Sequence, residues 1–177
     1  MLLKTRKVVV VGVLVALSIL SMFLGSVIEM NTLFFLAFAA FCIGIMIREF
    51  QCSGGIMGFI SAVLLGFILV PNKLYVFTYI AMGIYIIGIE FAWKKLAVLS
   101  ETTYVIKVFW VIKYLLFNLM YIPAILFGSE LLLGKKLIGG MLIVAILLGQ
   151  VGLWIFDKAY EQFMSKVSLR RFTNLFE

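Results

Sequence analysis

Glu90 stands one helical turn before Lys94, and Lys113 lies in the next apolar stretch; these ionisable groups are the first places to look for chemistry. A charged side chain at the centre of a bilayer costs about 2.5–3.5 kcal/mol on insertion scales, so each such residue must be paired, hydrated or put to use. Lys94 can neutralise Glu90 as an i, i+4 pair on one helix, and Lys113 can do so across helices. The combination suits a structural ion pair, a site that couples motion to a partner, or a proton or ion site.

Uncharged polar groups form a second set. Asn31, Asn72, Tyr75 and Tyr79 cluster around two breaks in the apolar pattern, and Asn118 and Tyr121 lie inside a later apolar stretch. An amide inside an apolar helix requires a hydrogen-bonding partner, from either another helix or a ligand. Together the six residues are candidates for holding a small polar molecule between apolar walls. For Tyr75 and Tyr121 the competing role is that of interfacial belt residues. A third set is small: Gly12 with Ala16, and Ser21 with Gly25, both at i, i+4. Such pairs let helix backbones approach closely in lipid, either within one bundle or against a partner's helix, and Gly12 and Ala16 are the candidate docking pair.

Several chemistries lack their residues. The chain has no histidine, which removes the commonest metal ligand and general base, and no pair of acidic residues has catalytic spacing, so a non-enzymatic protein without cofactor or metal is expected. Cys42 and Cys52 lack metal-ligand spacing and suit buried free thiols. The glycines after Arg48, at 54, 55 and 58, lack the Lys-Ser/Thr ending of a phosphate loop and suit a tight turn into a closely packed helix. The net charge of +7 is not arranged as a basic stripe interleaved with aromatics, so no nucleic-acid partner is expected.

The elements that must position these residues follow from the apolar runs. With 65% hydrophobic and 13% charged residues in 177, the chain reads as an all-α, polytopic membrane protein forming a single integral membrane domain in the bilayer. Apolar runs bounded by charges, Gly, Pro and Asn predict six transmembrane helices: Val8–Ile28, Leu33–Ile47, Cys52–Val70, Leu74–Trp93, Tyr104–Phe127 and Leu137–Phe156. The second is short enough to be re-entrant. The first is too long for a signal-peptide core and is expected to remain as a helix. After it all, Asp157–Glu177 suits an amphipathic helix on the cytoplasmic leaflet or an extension of helix six.

Charge orients the bundle. With a cytoplasmic N-terminus, the inner side carries Lys4, Arg6, Lys7, Arg48, Lys94, Lys95, Lys107, Lys113, Lys158, Lys166, Arg170 and Arg171, and the outer side only Lys73, Lys135 and Lys136. Basic residues collect in cytoplasmic loops, so both termini are expected in the cytoplasm of a bacterial cell.

The segments VVVVGVLVALSIL, LFFLAFAAFCIGIMIREF and GGIMGFISAVLLGFILVP together resemble the substrate-binding S component of energy-coupling-factor (ECF) transporters. The resemblance implies six helices and a vitamin-sized ligand bound near the outer face. It also implies a transmembrane coupling subunit docked on small residues of the first helix, with two ATPase subunits completing the transporter. Gly12 and Ala16 match that family's small-residue spacing, with Gly in place of the first Ala. The second half, with PNKLYVFTYIAMGIYIIGIE and KYLLFNLMYIP, is more similar to uncharacterised bacterial membrane proteins distantly related to S components, and it carries no vitamin-specific motif. The expected function is therefore the membrane-embedded substrate-binding subunit of an ATP-driven uptake transporter. The alternative is a non-transporting scaffold subunit of a cell-envelope or sporulation complex.

Overall fold

Among the described residues are five α-helices, each long and apolar enough to cross a membrane: α1 Leu2–Val27, α2 Thr32–Leu69, α3 Lys73–Leu96, α4 Thr103–Leu133 and α5 Gly140–Leu169. The computed structural model describes residues 2–98, 103–133 and 139–169. Lys135, Lys136 and the last part of the expected amphipathic tail, residues 170–177, lie outside the described residues. The described helices form two compact units, one of α1–α3 and one of α4 and α5.

In the first unit α2 takes the place of the expected second and third helices. Its 38 residues would span about 57 Å as a straight helix, nearly twice a bilayer's hydrocarbon core. Gln51 breaks it, with φ 69° and ψ 174°. That backbone conformation is almost confined to glycine and costs a side-chain-bearing residue about 1–3 kcal/mol. Beyond the break the chain folds back. A Cβ built on Gly55 would lie 3.2 Å from the Ile47 Cα, whereas residues eight apart in a straight helix are separated by about 12 Å. Gly58 sits in the same way against Met46, so α2 is a helical hairpin with limbs 32–50 and 52–69 whose glycines admit the close approach. Gln51 falls between the expected helix ends at Ile47 and Cys52, and the turn is a single residue rather than a loop.

The first limb of α2 is the centre of this unit, with every residue from Ala39 to Ile47 buried. The second limb and α3 pack on it: Gly83 of α3 lies against both Phe59 and Ile43, one from each limb. α3 buries Val76, Tyr79, Gly83, Ile86 and Glu90, a stripe spaced alternately three and four residues apart. Pro71 ends α2, holding Val70 extended at ψ 124°, and the Asn72 side chain accepts from the Leu74 backbone N–H to start α3. α1 is divided lengthwise. Leu14, Val15, Ser18, Ile19, Met22 and Gly25 face inward, while Gly12, Val13, Ala16, Leu20 and Phe23 are exposed.

The second unit is an antiparallel pair. Lys113 meets Asp157, Asn118 meets Gln150, and Tyr121 meets Ala145, so the position numbers rise on α4 as they fall on α5. α5 runs unbroken from Gly140 to Leu169, past the expected end at Phe156, and the described part of the expected tail is thus an extension of the last helix. The reason is that Asp157, Tyr160 and Met164 continue the buried stripe begun at Leu153 and keep the helix packed.

Candidate functional site

Charged side chains in the interior of the second unit form a linked group. The Lys113 ammonium donates to Asp157 Oδ2 at 2.7 Å and to Glu161 Oε1 at 2.9 Å, and Lys158 reaches Glu161 at 3.3 Å. Lys113 and Asp157 are almost fully buried, whereas Glu161 is half exposed. The α5 carboxylates are one turn apart on the same face, which lets one ammonium serve both. The ammonium also lies 4.5 Å from the centre of the Phe109 ring and 4.9 Å from that of Trp110, faces that attract a cation. Of the four groups only Lys113 and Asp157 are buried, and their opposite charges cancel there, while Lys158 and Glu161 are about half exposed.

Farther along the same pair, Gln150 Nε2 donates to Asn118 Oδ1 at 2.6 Å. The Tyr121 hydroxyl donates to the Ala145 carbonyl at 2.8 Å, and its ring occupies the space where a Gly149 side chain would stand. Phe117 stacks on the Tyr121 ring at 4.8 Å. Three successive polar links therefore hold α4 to α5. Of the two partners that Asn118 required, the structure supplies another helix.

Glu90 in the first unit is paired differently from expectation. Both Arg48 Nε and Arg48 Nη2 donate to Glu90 Oε1, at 2.8 and 2.6 Å. Lys94 was one expected partner, but it sits exposed one turn farther out and lies 3.8 Å from Cys52 Sγ. Lys113, the other, bonds Asp157 and Glu161 in its own unit. The correction follows from the α2 hairpin, which places Arg48 just before the turn and opposite the end of α3. Glu90 points inward on the α3 stripe that packs on α2, and the i, i+4 direction toward Lys94 leads outward.

The remaining candidates divide by position. Asn31 and Asn72 lie exposed in the two connections at one end of the first unit, with Tyr75 partly exposed nearby and Lys73 capping the Phe67 and Val70 carbonyls. Tyr79 is instead fully buried, with its ring 5.8 Å from that of Phe59. Gly12 and Ala16 are exposed, and nothing lies within 4 Å of where a Gly12 side chain would stand. The second small pair behaves oppositely: Ser21 and Gly25 are buried, and a Cβ on Gly25 would come within 3.3 Å of Phe35.

Asp157, Glu161, Gln150, Arg48 and Ser18 are structural participants that the sequence reading did not assign to a site. Gln150 carried a signal, being a lone amide in the apolar run VAILLGQVGLW and so in need of a partner just as Asn118 is. Asp157 carried less, because its position at the apparent end of an apolar run resembles a solvated boundary. Comparison with protein-family models, curated proteins and solved structures finds no match to this chain.

Proposed function

We propose that this protein is a non-enzymatic membrane subunit that works by docking a partner's helix in the bilayer against the Gly12–Ala16 face of α1. The observation that carries this reading is the division of small residues on α1. Ser21 and Gly25 are consumed by packing inside the unit, whereas Gly12 and Ala16 are left exposed with open space beside Gly12. Small residues facing outward permit the close backbone approach that drives helix association in lipid.

In this reading the chain crosses a bacterial cytoplasmic membrane six times, with both termini in the cytoplasm. The fold-back at Gln51 supports the even number, since α2 then supplies two crossings. Within the first unit the start of α1, the α2 turn and the end of α3 share one end, and these carry Lys4, Arg6, Lys7, Arg48, Lys94 and Lys95, against Lys73 at the other. That asymmetry supports a cytoplasmic assignment for the basic end.

Two forms of the docking subunit differ in what the partner does. In the S component-like form the partner is a transmembrane coupling subunit with ATPases, and Asn31, Asn72 and Tyr75 bind a small molecule at the outer end. The scaffold form carries no ligand and organises a cell-envelope or sporulation complex. The internal bonding of Asn118 and Tyr121 favours the scaffold form, because Asn118 Oδ1 and the Tyr121 hydroxyl are both engaged by α5.

Substituting Ala16→Leu and Gly12→Leu together and isolating the protein gently from its own membrane tests the docking. Loss of a co-purifying membrane partner with unchanged thermal unfolding is expected; retention of the partner would refute the proposal. Native mass spectrometry of the wild-type preparation separates the two forms, a retained small molecule indicating the transport-linked one.

A further inference from the structure

Lys94 and Lys95 stand in the last turn of α3, at the basic end of the first unit, and both are exposed. The i, i+4 spacing offers Glu90 to Lys94, but Arg48 holds that carboxylate, and the Lys94 ammonium lies 3.8 Å from the Cys52 sulfur. The Lys95 ammonium is 4.7 Å from the centre of the Phe91 ring, one turn back on its own helix. Among the described residues neither ammonium pairs with a carboxylate. Lys73 at the opposite end of α3 differs, because its ammonium donates to the Phe67 and Val70 carbonyls that end α2. Below the two lysines runs an apolar strip. Phe77, Ile84 and Phe91 recur every seven residues, which keeps them within about 40° of one another around the helix, and each is about half exposed. Lys95 lies one turn beyond Phe91 on this face, and from Lys95 to Ile84 is about 17 Å along the axis, roughly half a bilayer's hydrocarbon core.

We propose that this end of α3 binds one anionic phospholipid, its phosphate held by the Lys94 and Lys95 ammonium groups and an acyl chain lying along Phe91 and Ile84. Two adjacent cations without a carboxylate leave a positive charge for the headgroup to match, and a zwitterionic lipid brings its own cation and matches it less well. The pairing of Glu90 with Arg48 is what keeps Lys94 available, and the Phe91 ring holds the Lys95 ammonium close to the apolar strip. The strip selects a lipid over a soluble anion, since its exposed apolar length suits one leaflet's acyl chain. This inference is independent of the docking proposal, because it concerns α3 and not the face of α1 bearing Gly12.

Native mass spectrometry of the full-length protein in detergent, titrated with phosphatidylglycerol or with phosphatidylcholine of identical acyl chains, tests the site. Phosphatidylglycerol should bind more tightly to the wild type. A lysine beside an anionic lipid is worth about fivefold in affinity, so Lys95→Gln should weaken phosphatidylglycerol binding about fivefold and Lys94→Gln with Lys95→Gln about thirtyfold. Phosphatidylcholine binding and thermal unfolding should stay unchanged in both, and Lys73→Gln should keep the preference for phosphatidylglycerol. Equal binding of the two lipids by the wild type, or a preference retained by the double variant, would overturn the inference. An equal loss in Lys73→Gln would also overturn it, since the lipid would then sense only the overall charge. Displacement of bound phosphatidylglycerol by soluble glycerol phosphate would do the same, because the apolar strip would then contribute nothing.

Discussion

Replacing Lys113 by methionine tests the account of the second unit most severely. The substitution removes the ammonium that lies 2.7 Å from Asp157 and 2.9 Å from Glu161, while the Asp157 carboxylate stays buried at 1% exposure. Breaking a buried ion pair from one side costs about 3–5 kcal/mol, because the remaining charge keeps its desolvation penalty. The contact to Glu161 adds little, since that carboxylate is 45% exposed and pairs at such sites contribute about 0–1 kcal/mol. Lys113→Met should therefore shift the unfolding equilibrium by about two to three and a half powers of ten. Adding Asp157→Asn should restore most of the loss, because a buried pair replaced on both sides is often nearly neutral. Glu161→Gln alone should cost under about 1 kcal/mol. Denaturant titration of the detergent-solubilised full chain, followed by tryptophan fluorescence, measures all four proteins; Trp110 beside the Lys113 ammonium supplies a local signal. A Lys113→Met protein within about 1 kcal/mol of wild type, or a double variant no more stable than the single one, would refute the reasoning.

Gln51→Gly should stabilise the protein by about 1 kcal/mol, since relief of the left-handed strain exceeds the added chain entropy of glycine; destabilisation in the same titration would count against the single-residue turn. On α5, Gly149→Ala should destabilise by about 1–3 kcal/mol because the Tyr121 ring fills that space. Gly152→Ala, with open space beside it, should be neutral or stabilising by up to about 1 kcal/mol, and equal effects at the two positions would contradict the described α4–α5 packing. Asn118→Leu should cost about 0.6–2 kcal/mol by leaving the Gln150 amide unmatched, and Asn118→Leu with Gln150→Leu should recover it; failure of that recovery would argue against the amide pair.

Much of the helical layout was legible because lipid imposes a simple length rule. Runs of about 20 apolar residues bounded by charge locate the helices, and the basic residues at Arg48 and Lys94 locate their ends. The sequence also marked 48–55 as a turn from its polar and glycine content. What it did not reveal was how tightly the chain turns there, since a backbone conformation almost confined to glycine was adopted by Gln51 with glycines only three residues later. The extent of α5 stayed open between two readings for a related reason. Asp157 looks like the start of a solvated segment when judged by hydropathy alone, yet its charge is matched by Lys113, 44 residues away in the chain.

The polar residues show where sequence and tertiary structure divide the work. Sequence alone established that this is an all-α chain suited to a bilayer, and that Glu90, Lys113 and Asn118 could not stand unpartnered in apolar helices, because the cost of burying a polar group depends on the group and its surroundings and not on which neighbour relieves it. Tertiary structure decided the neighbours: Arg48 for Glu90, Asp157 and Glu161 for Lys113, and Gln150 for Asn118. It also decided that of two equally spaced small pairs on α1, Ser21 with Gly25 turns inward and Gly12 with Ala16 outward. The two pairs start nine residues apart, about 180° around an α-helix, so they face opposite ways whatever the packing; only the packing of α1 against α2 determines which of the two is turned inward.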